Sequence, residues 1–182
     1  TELASVVEND PVYWKNLIVA IRQIYSGKIT YAENWDSYSK VPFWDQLDLI
    51  GVNAYFPLKG KETLSVSILK KRWIPTVVAL ERLSDSLQKQ VLFSEMGYRS
   101  IDDPVSRPWD YHQKSVRYNS KSQAIALEAL LQTFASKNWW AGGFVWKWFP
   151  QHSTSGGEGN TGFTPQNKMA EAVLQSYFTK NE

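Results

Sequence analysis

Helical and strand periods alternate along this chain. Trp14, Leu17, Ile18, Ile21 and Tyr25 recur at the three-and-four spacing of one helix face. Asp10 supplies an N-cap oxygen, Pro11 fits the first helical position, and Gly27 closes the segment. Lys28 to Ala32 then reads as a short strand that delivers Glu33-Asn34-Trp35-Asp36 into a loop. After Pro42, a helical turn over Phe43 to Leu47 leads into Asp48 to Phe56, a second buried strand that ends in polar and aromatic residues. Leu64 to Gln88 carries a helical pattern, expected in two pieces because Pro75 lacks an amide donor.

Val91, Leu92 and Phe93 form a continuous apolar run, as in a strand buried on both faces of a parallel sheet, and the run leads straight into Glu95 and Gly97. A long loop follows from Arg99 to Asn119; in a compact domain such a length marks a functional segment. Ser120 with Gln123 has the form of a capping box, and Leu127, Leu130, Leu131 and Phe134 supply the apolar stripe of the next helix. Gly142 to Phe149 reads as a strand ending in aromatics. The Gly-rich loop Ser155 to Gly162 leads to a last helix, with Pro165 near its first turn and Met169, Val173, Leu174 and Tyr177 on one side.

Strands thus alternate with helices, without a hairpin signal, which is the pattern of a parallel sheet with right-handed crossovers. With Thr1-Glu2-Leu3 counted as the tail of a strand, five strand ends are each followed by a helical segment. A closed (β/α)₈ barrel needs about 250 residues. The 182 residues therefore read as α/β, one incomplete domain over 1–182: the C-terminal part of such a barrel, from the end of strand four through helix eight, with strands one to three absent. The chain opens without an initiator Met, so its N-terminus is expected to be internal to a longer protein.

Composition is ordinary for a globular domain, 43% hydrophobic and 21% charged. A net charge of +2, without runs of either sign, gives no nucleic-acid surface and no attraction to an anionic membrane. No apolar segment is long enough to span a bilayer. The absence of cysteine excludes disulfides, thiolate metal sites and a Cys nucleophile, and leaves the compartment open. A secreted or periplasmic location is the expectation if a leader precedes the chain. The aromatic content does change the picture: nine Trp and nine Tyr exceed what a core of this size needs, and Trp suits stacking on hydroxyl-fringed rings such as sugars, although most of the nine are expected in the core.

Glu2 and Glu95 both fall at expected strand ends, and in a (β/α)₈ barrel the carboxyl ends of the strands form the active-site face. Two such glutamates are what glycoside hydrolysis requires: an acid that protonates the leaving oxygen and, roughly 5 to 5.5 Å away, a carboxylate that attacks the anomeric carbon. A strand-end glutamate paired with a neighbouring arginine is the plain alternative.

Five stretches taken together point to a family: Thr1-Glu2-Leu3, Ile29 to Trp35, Phe43 to Leu58, Leu92 to Ser100, and Gly143 to Trp148. Over essentially all 182 residues they resemble glycoside hydrolase family 113. The resemblance implies a retaining (β/α)₈ hydrolase with endo-β-1,4-mannanase activity, with Glu2 as acid/base and Glu95 as nucleophile. It also implies that the Tyr55 hydroxyl donates to the nucleophile and that Trp146 is the platform for the cleaved sugar. Glu2 must then hold a proton, in a less polar pocket or beside the charge of Glu95, while Glu95 needs donors to stay ionised. One departure stands out: Thr1 occupies the position before the acid/base where the wider clan usually has Asn. Asn34 or Asn53 is expected to take over part of the 2-hydroxyl contact. Trp35, Trp109 and Trp148 are candidates for further stacking subsites, and Arg99 for orienting a carboxylate or binding substrate, with a solvated loop arginine the commoner outcome.

Gly157 to Gly162 matches the dinucleotide fingerprint as a string, but no strand leads into it and no ribose-binding acid follows. His112 and His152 stand apart without ligand spacing, so no metal and no cofactor is expected. The expected partner is a β-linked oligo- or polysaccharide. A carbohydrate-binding barrel without turnover, or a hydrolase of glucan or xylan, is the competing reading. The barrel's missing front, or a second copy of the chain, is expected to cover the two outer strands.

Overall fold

A computed structural model describes residues 7, 9–114 and 116–179. It divides into two compact units, described separately. Unit one takes the described residues up to Ala54 together with Val78–Glu95 and Asn138–Phe144; unit two takes Tyr55–Val77, Met96–Lys137 and the described residues from Val145 on.

Unit one is built on a sheet of four strands in sequence order, β1 (Ala32–Asn34), β2 (Ile50–Asn53), β3 (Val91–Met96) and β4 (Trp140–Val145). The β1–β2 and β2–β3 pairs are parallel, with Ala32 opposite Gly51 and Ile50 opposite Val91. Among the described residues β1 and β4 are the outer strands. Ile50, Val52, Val91 and Phe93 are fully buried, as a sheet covered on its faces requires. Helix α1 (Pro11–Ile24) starts as its sequence dictates, Asp10 accepting from the Tyr13 amide at 3.0 Å with Pro11 in the first turn. Its Trp14 ring lies 5.5 Å from Tyr31 and 5.9 Å from Phe43, closing an aromatic cluster beside the sheet. The Asp48 carboxylate ties the segment before β1 to the one before β2, accepting from the Ile29 amide at 2.6 Å and the Arg22 guanidinium at 2.5 Å.

In unit two the core centres on Trp73, edge-on to Phe56 at 5.7 Å and to Phe134 at 5.0 Å, with Leu69, Leu127 and Leu130 fully buried. Helix α3 (Ser120–Phe134) packs with α4 (Met169–Phe178), and the Ser120 hydroxyl accepts from the Met169 amide at 3.0 Å.

Several boundaries differ from the sequence reading. The segment from Lys28 to Tyr31 is not strand; β1 begins at Ala32 and carries Glu33 and Asn34 within it. The element expected to break at Pro75 is one helix, α2 (Val66–Leu87). A single missing backbone hydrogen bond costs less than the burial of Leu69 and Trp73 on one side of Pro75 and Leu80 on the other supplies. The capping box at Ser120 does not form: Asn119 is the N-cap, accepting from the Ser122 amide at 3.0 Å, and Gln123 is drawn into the interior instead. Pro165 lies ahead of α4 in a turn closed by the Lys168 amide, and the buried residues of α4 are Ala170 and Leu174, while Met169 is 56% exposed. The strand tail expected at Thr1-Glu2-Leu3 lies outside the described residues.

Candidate active site

In unit one the site begins where the β2–β3 register jumps. Val52 faces Phe93, but the next residue, Asn53, faces Glu95, so β3 carries one extra residue, Ser94. The bulge breaks strict alternation: Ser94 and Glu95 are both half-buried, while Phe93 before them and Met96 after them are buried. The ladder survives through the Ala54 amide, which donates to the Glu95 carbonyl at 2.7 Å.

A polar row crosses the strand ends beside Glu95. The Ser94 hydroxyl donates to the Asn53 amide oxygen at 2.9 Å, and the Asn53 amide nitrogen donates to Asn34 at 3.4 Å. Asn53 is 7% exposed, so both contacts satisfy groups that would be costly to bury alone. Glu33 is almost fully buried and accepts from the Asn34 amide at 2.8 Å and from the Ser37 hydroxyl at 2.9 Å. These bonds give the chain leaving β1 its path, and with it the placement of Asn34 and the half-buried Trp35.

Unit two holds the aromatic part of the predicted set. Tyr55 is largely buried, with its ring 6.1 Å from Phe163 in an edge-on contact. The Trp146 amide donates to the Met96 carbonyl at 2.8 Å, which extends the β3–β4 pairing; the Trp146–Lys147 peptide is cis. A Cβ on Gly97 would lie 2.2 Å from the Trp146 carbonyl oxygen, so only glycine permits this approach. Trp146, Trp148 and Trp109 are each 40–50% exposed, the condition a stacking surface needs. The Lys147 ammonium stands 5.8 Å from the Trp146 ring and 4.8 Å from the Phe149 ring.

Arg99 is committed to loop backbone: its guanidinium donates to the Thr161 carbonyl at 3.2 Å and reaches the Gln113 carbonyl at 3.5 Å. Three buried side chains that the sequence did not single out for this role hold the Gly-rich loop and the backbone on either side of it. Gln123 donates to the carbonyls of Tyr98 and Phe163, both at 2.8 Å. Gln166 accepts from the Phe149 amide at 2.7 Å and donates to its carbonyl at 2.9 Å. The Lys168 ammonium donates to Ser100 Oγ at 2.7 Å, Asn160 Oδ1 at 3.0 Å and the Gly162 carbonyl at 3.1 Å.

Of the predicted residues, then, Asn34, Asn53 and Glu95 are brought together in unit one, and Tyr55, Arg99 and Trp146 take defined places in unit two. Glu2 lies outside the described residues. Ser94 went unread, although a hydroxyl between an apolar run and a strand-end carboxylate was its signal; Lys168 and Gln166 gave none. Among the described residues no cluster of His, Cys, Asp and Glu can hold a metal ion, and no helix is long and apolar enough to cross a membrane. A cleft of about 520 Å³ in unit two is lined by Arg72, Asp102, Arg117 and Lys121 among others, and by none of the predicted site residues. Two of its cations are paired within it, Arg72 with Glu62 and Arg117 with Asp102, both at 2.6 Å.

The sequence matches the model of Glycoside Hydrolase Family 113 over residues 2–168. Among curated proteins none matches. Among solved structures, the fold is similar to the GH113 β-mannanase AaManA from Alicyclobacillus acidocaldarius in complex with ManMIm, with a TM-score of 0.77 at 24% identity over 96% of this chain and 52% of that one. A GH113 β-1,4-mannanase solved as a complex gives 0.78 at 22% identity over 95% and 52%. A β-glucuronidase from Ruminococcus gnavus gives 0.65 at 19% identity over 92% and 29%. The chain thus spans about half the length of these mannanases, and its sheet and helices are part of a (β/α)₈ barrel.

Proposed function

The chain belongs to Glycoside Hydrolase Family 113, and on that premise we propose that the protein carrying it is a retaining glycosidase acting on β-1,4-linked mannan. The observation that carries this reading is Glu95, set on a bulge at the carboxyl end of β3 beside the row Ser94, Asn53 and Asn34. The solved GH113 structures named above are mannanases, which supports the choice of substrate.

In the proposed reaction the Glu95 carboxylate attacks the anomeric carbon as the glycosidic C–O bond breaks, and Glu2 gives its proton to the leaving oxygen. Water then attacks the glycosyl-enzyme ester, Glu2 takes a proton from that water, and the sugar leaves with its original anomeric configuration. Tyr55 has the role that the family resemblance gives it, the donor that keeps the nucleophile ionised. Asn34 and Asn53 reach the sugar 2-hydroxyl, Trp146 carries the cleaved residue, and Trp35, Trp109 and Trp148 stack neighbouring rings. Arg99 acts through the Gly-rich loop, to which its guanidinium is bonded, rather than as a free cation. The rest of the barrel completes the fold.

Product analysis on mannan, glucan and xylan, with anomeric configuration followed by NMR, tests the reading. Mannan oligosaccharides released with retention, and lost in Glu95→Ala, are expected. Inversion of configuration overturns the mechanism, turnover of glucan or xylan alone overturns the substrate, and sugar binding without hydrolysis overturns the enzyme.

A further inference from the structure

Lys168 is 7% exposed, and the three hydrogen-bond partners of its ammonium are neutral oxygens. Among the described residues no carboxylate pairs with it. A buried cation without a counter-charge costs stability unless every proton is taken, and here three acceptors match three donors. The acceptors come from two places far apart in the chain. Ser100 lies five residues past Glu95; Asn160 and Gly162 lie in the Gly-rich loop after β4.

Ser100 completes the clamp. Its side chain is fully buried, its hydroxyl donates to the Asn160 carbonyl at 2.7 Å, and its amide donates to the Gly162 carbonyl at 3.3 Å. The next residue after Gly162 is Phe163, whose carbonyl is held by Gln123 and whose ring stands edge-on to Tyr55. Ammonium, hydroxyl, loop and ring therefore form one continuous chain of contacts ending on Tyr55.

We propose that Lys168 is a positioning residue of the reaction: its ammonium locks Asn160 and Gly162 onto Ser100, which fixes Phe163 against Tyr55 and so sets the direction of the Tyr55 hydroxyl. This rests on the glycosidase reading, in which that hydroxyl donates to the nucleophile. An unbranched apolar side chain of nearly the same length, such as methionine, takes one donor from each of the three oxygens: Ser100 Oγ loses the ammonium, Asn160 Oδ1 keeps only the Gly162 amide, and the Gly162 carbonyl keeps only Ser100, so the buried link between Ser100 and the loop is loosened. Sugar stacking on Trp146 does not depend on this clamp, because Trp146 is held by Met96 and Gly97. The cost should fall on kcat and not on KM.

Steady-state kinetics of wild type, Lys168→Met, Tyr55→Phe and the double variant on the glycan that the wild type hydrolyses test the assignment. Lys168→Met is expected to lower kcat by about tenfold or more with KM changed by less than about twofold. In the Tyr55→Phe background it should cost little further, because both changes remove the same hydrogen bond to the nucleophile. Losses that multiply, or a Lys168→Met kcat within about twofold of wild type, overturn the proposal. Where Lys168→Met does not fold, Ser100→Ala carries the same comparison, since it removes the hydroxyl that lies between the ammonium and the loop. A wild type inactive on every β-glycan overturns the glycosidase reading itself, whereas an active wild type matched by its Lys168 variant overturns only this inference.

Discussion

Asn53 of β2 stands opposite Glu95 of β3, not opposite Ser94, and the residue skipped by the register turns its hydroxyl back onto the Asn53 amide oxygen at 2.9 Å. The two polar residues at the end of β3 thus differ: Ser94 holds the neighbouring amide, and Glu95 is the nucleophile of the proposed reaction. Glu95→Ala should lower hydrolysis by at least about 10³-fold, the loss typical of a removed nucleophile. Ser94→Ala removes a single hydrogen bond of about 1 kcal/mol and should lower kcat/KM by no more than about tenfold. Initial rates on the hydrolysed glycan distinguish the two.

Gly97→Ala should destabilise the protein and reduce activity together. The new Cβ would sit 2.2 Å from the Trp146 carbonyl oxygen, a backbone atom that cannot rotate away. Overpacking of this kind costs about 1–3 kcal/mol. The movement also displaces the amide that pairs Trp146 with Met96. Urea unfolding and KM measured on the same preparations check both parts; a variant with unchanged unfolding would show that the strand exits are looser than described.

Stability should fall on acidification through Asp48. The Ile29 amide first, then the Arg22 guanidinium, hold its carboxyl below the usual carboxylate range. A depressed folded value means that the contribution is present above the unfolded value and is lost as pH drops through the folded one. The Arg22 and Asp48 side chains are each about one-third exposed, so screening limits the effect to about 1 kcal/mol. The difference in unfolding free energy between wild type and Asp48→Asn should shrink progressively as pH falls below about 5. A constant difference would contradict it.

Lys168 acts in the alkaline range. Burial pushes its amine down from 10.5 to about 8. Between those values the unfolded chain binds the proton more tightly than the folded one. This group's contribution is therefore present above the unfolded value and is lost as pH falls through about 8. Relative to Lys168→Met, wild type should gain stability as pH rises through this window, as read by chemical denaturation at fixed ionic strength. Parallel curves would count against it.

Gln123→Leu should be among the more damaging substitutions in unit two. It keeps the volume but leaves the Tyr98 and Phe163 carbonyls without their donor, at a cost of about 2–3 kcal/mol. Thermal unfolding gives the loss, and Gln123→Glu, which cannot donate when ionised, should be no better.

Much of the architecture was legible in the one-dimensional pattern because it rests on local periods. The α1 cap at Asp10, the buried β3 run and the order of strands and helices each follow from residues within one element, and Glu95 followed from being the first carboxylate after an apolar strand. Pro75 and Ser120 misled for a common reason: each is a local signal outweighed by burial that local spacing does not report.

What the sequence by itself determined is the alternation of strand and helix, the family, and the residue types at the strand ends. The tertiary structure decided the rest. The one-residue slip that puts Asn53 against Glu95, the joining of Asn34 to Ser94 through Asn53, and the capture of Ser100 by Lys168 bring together residues from separate elements. Such pairings depend on how strands register and loops close through space, and neither composition nor periodicity carries that information.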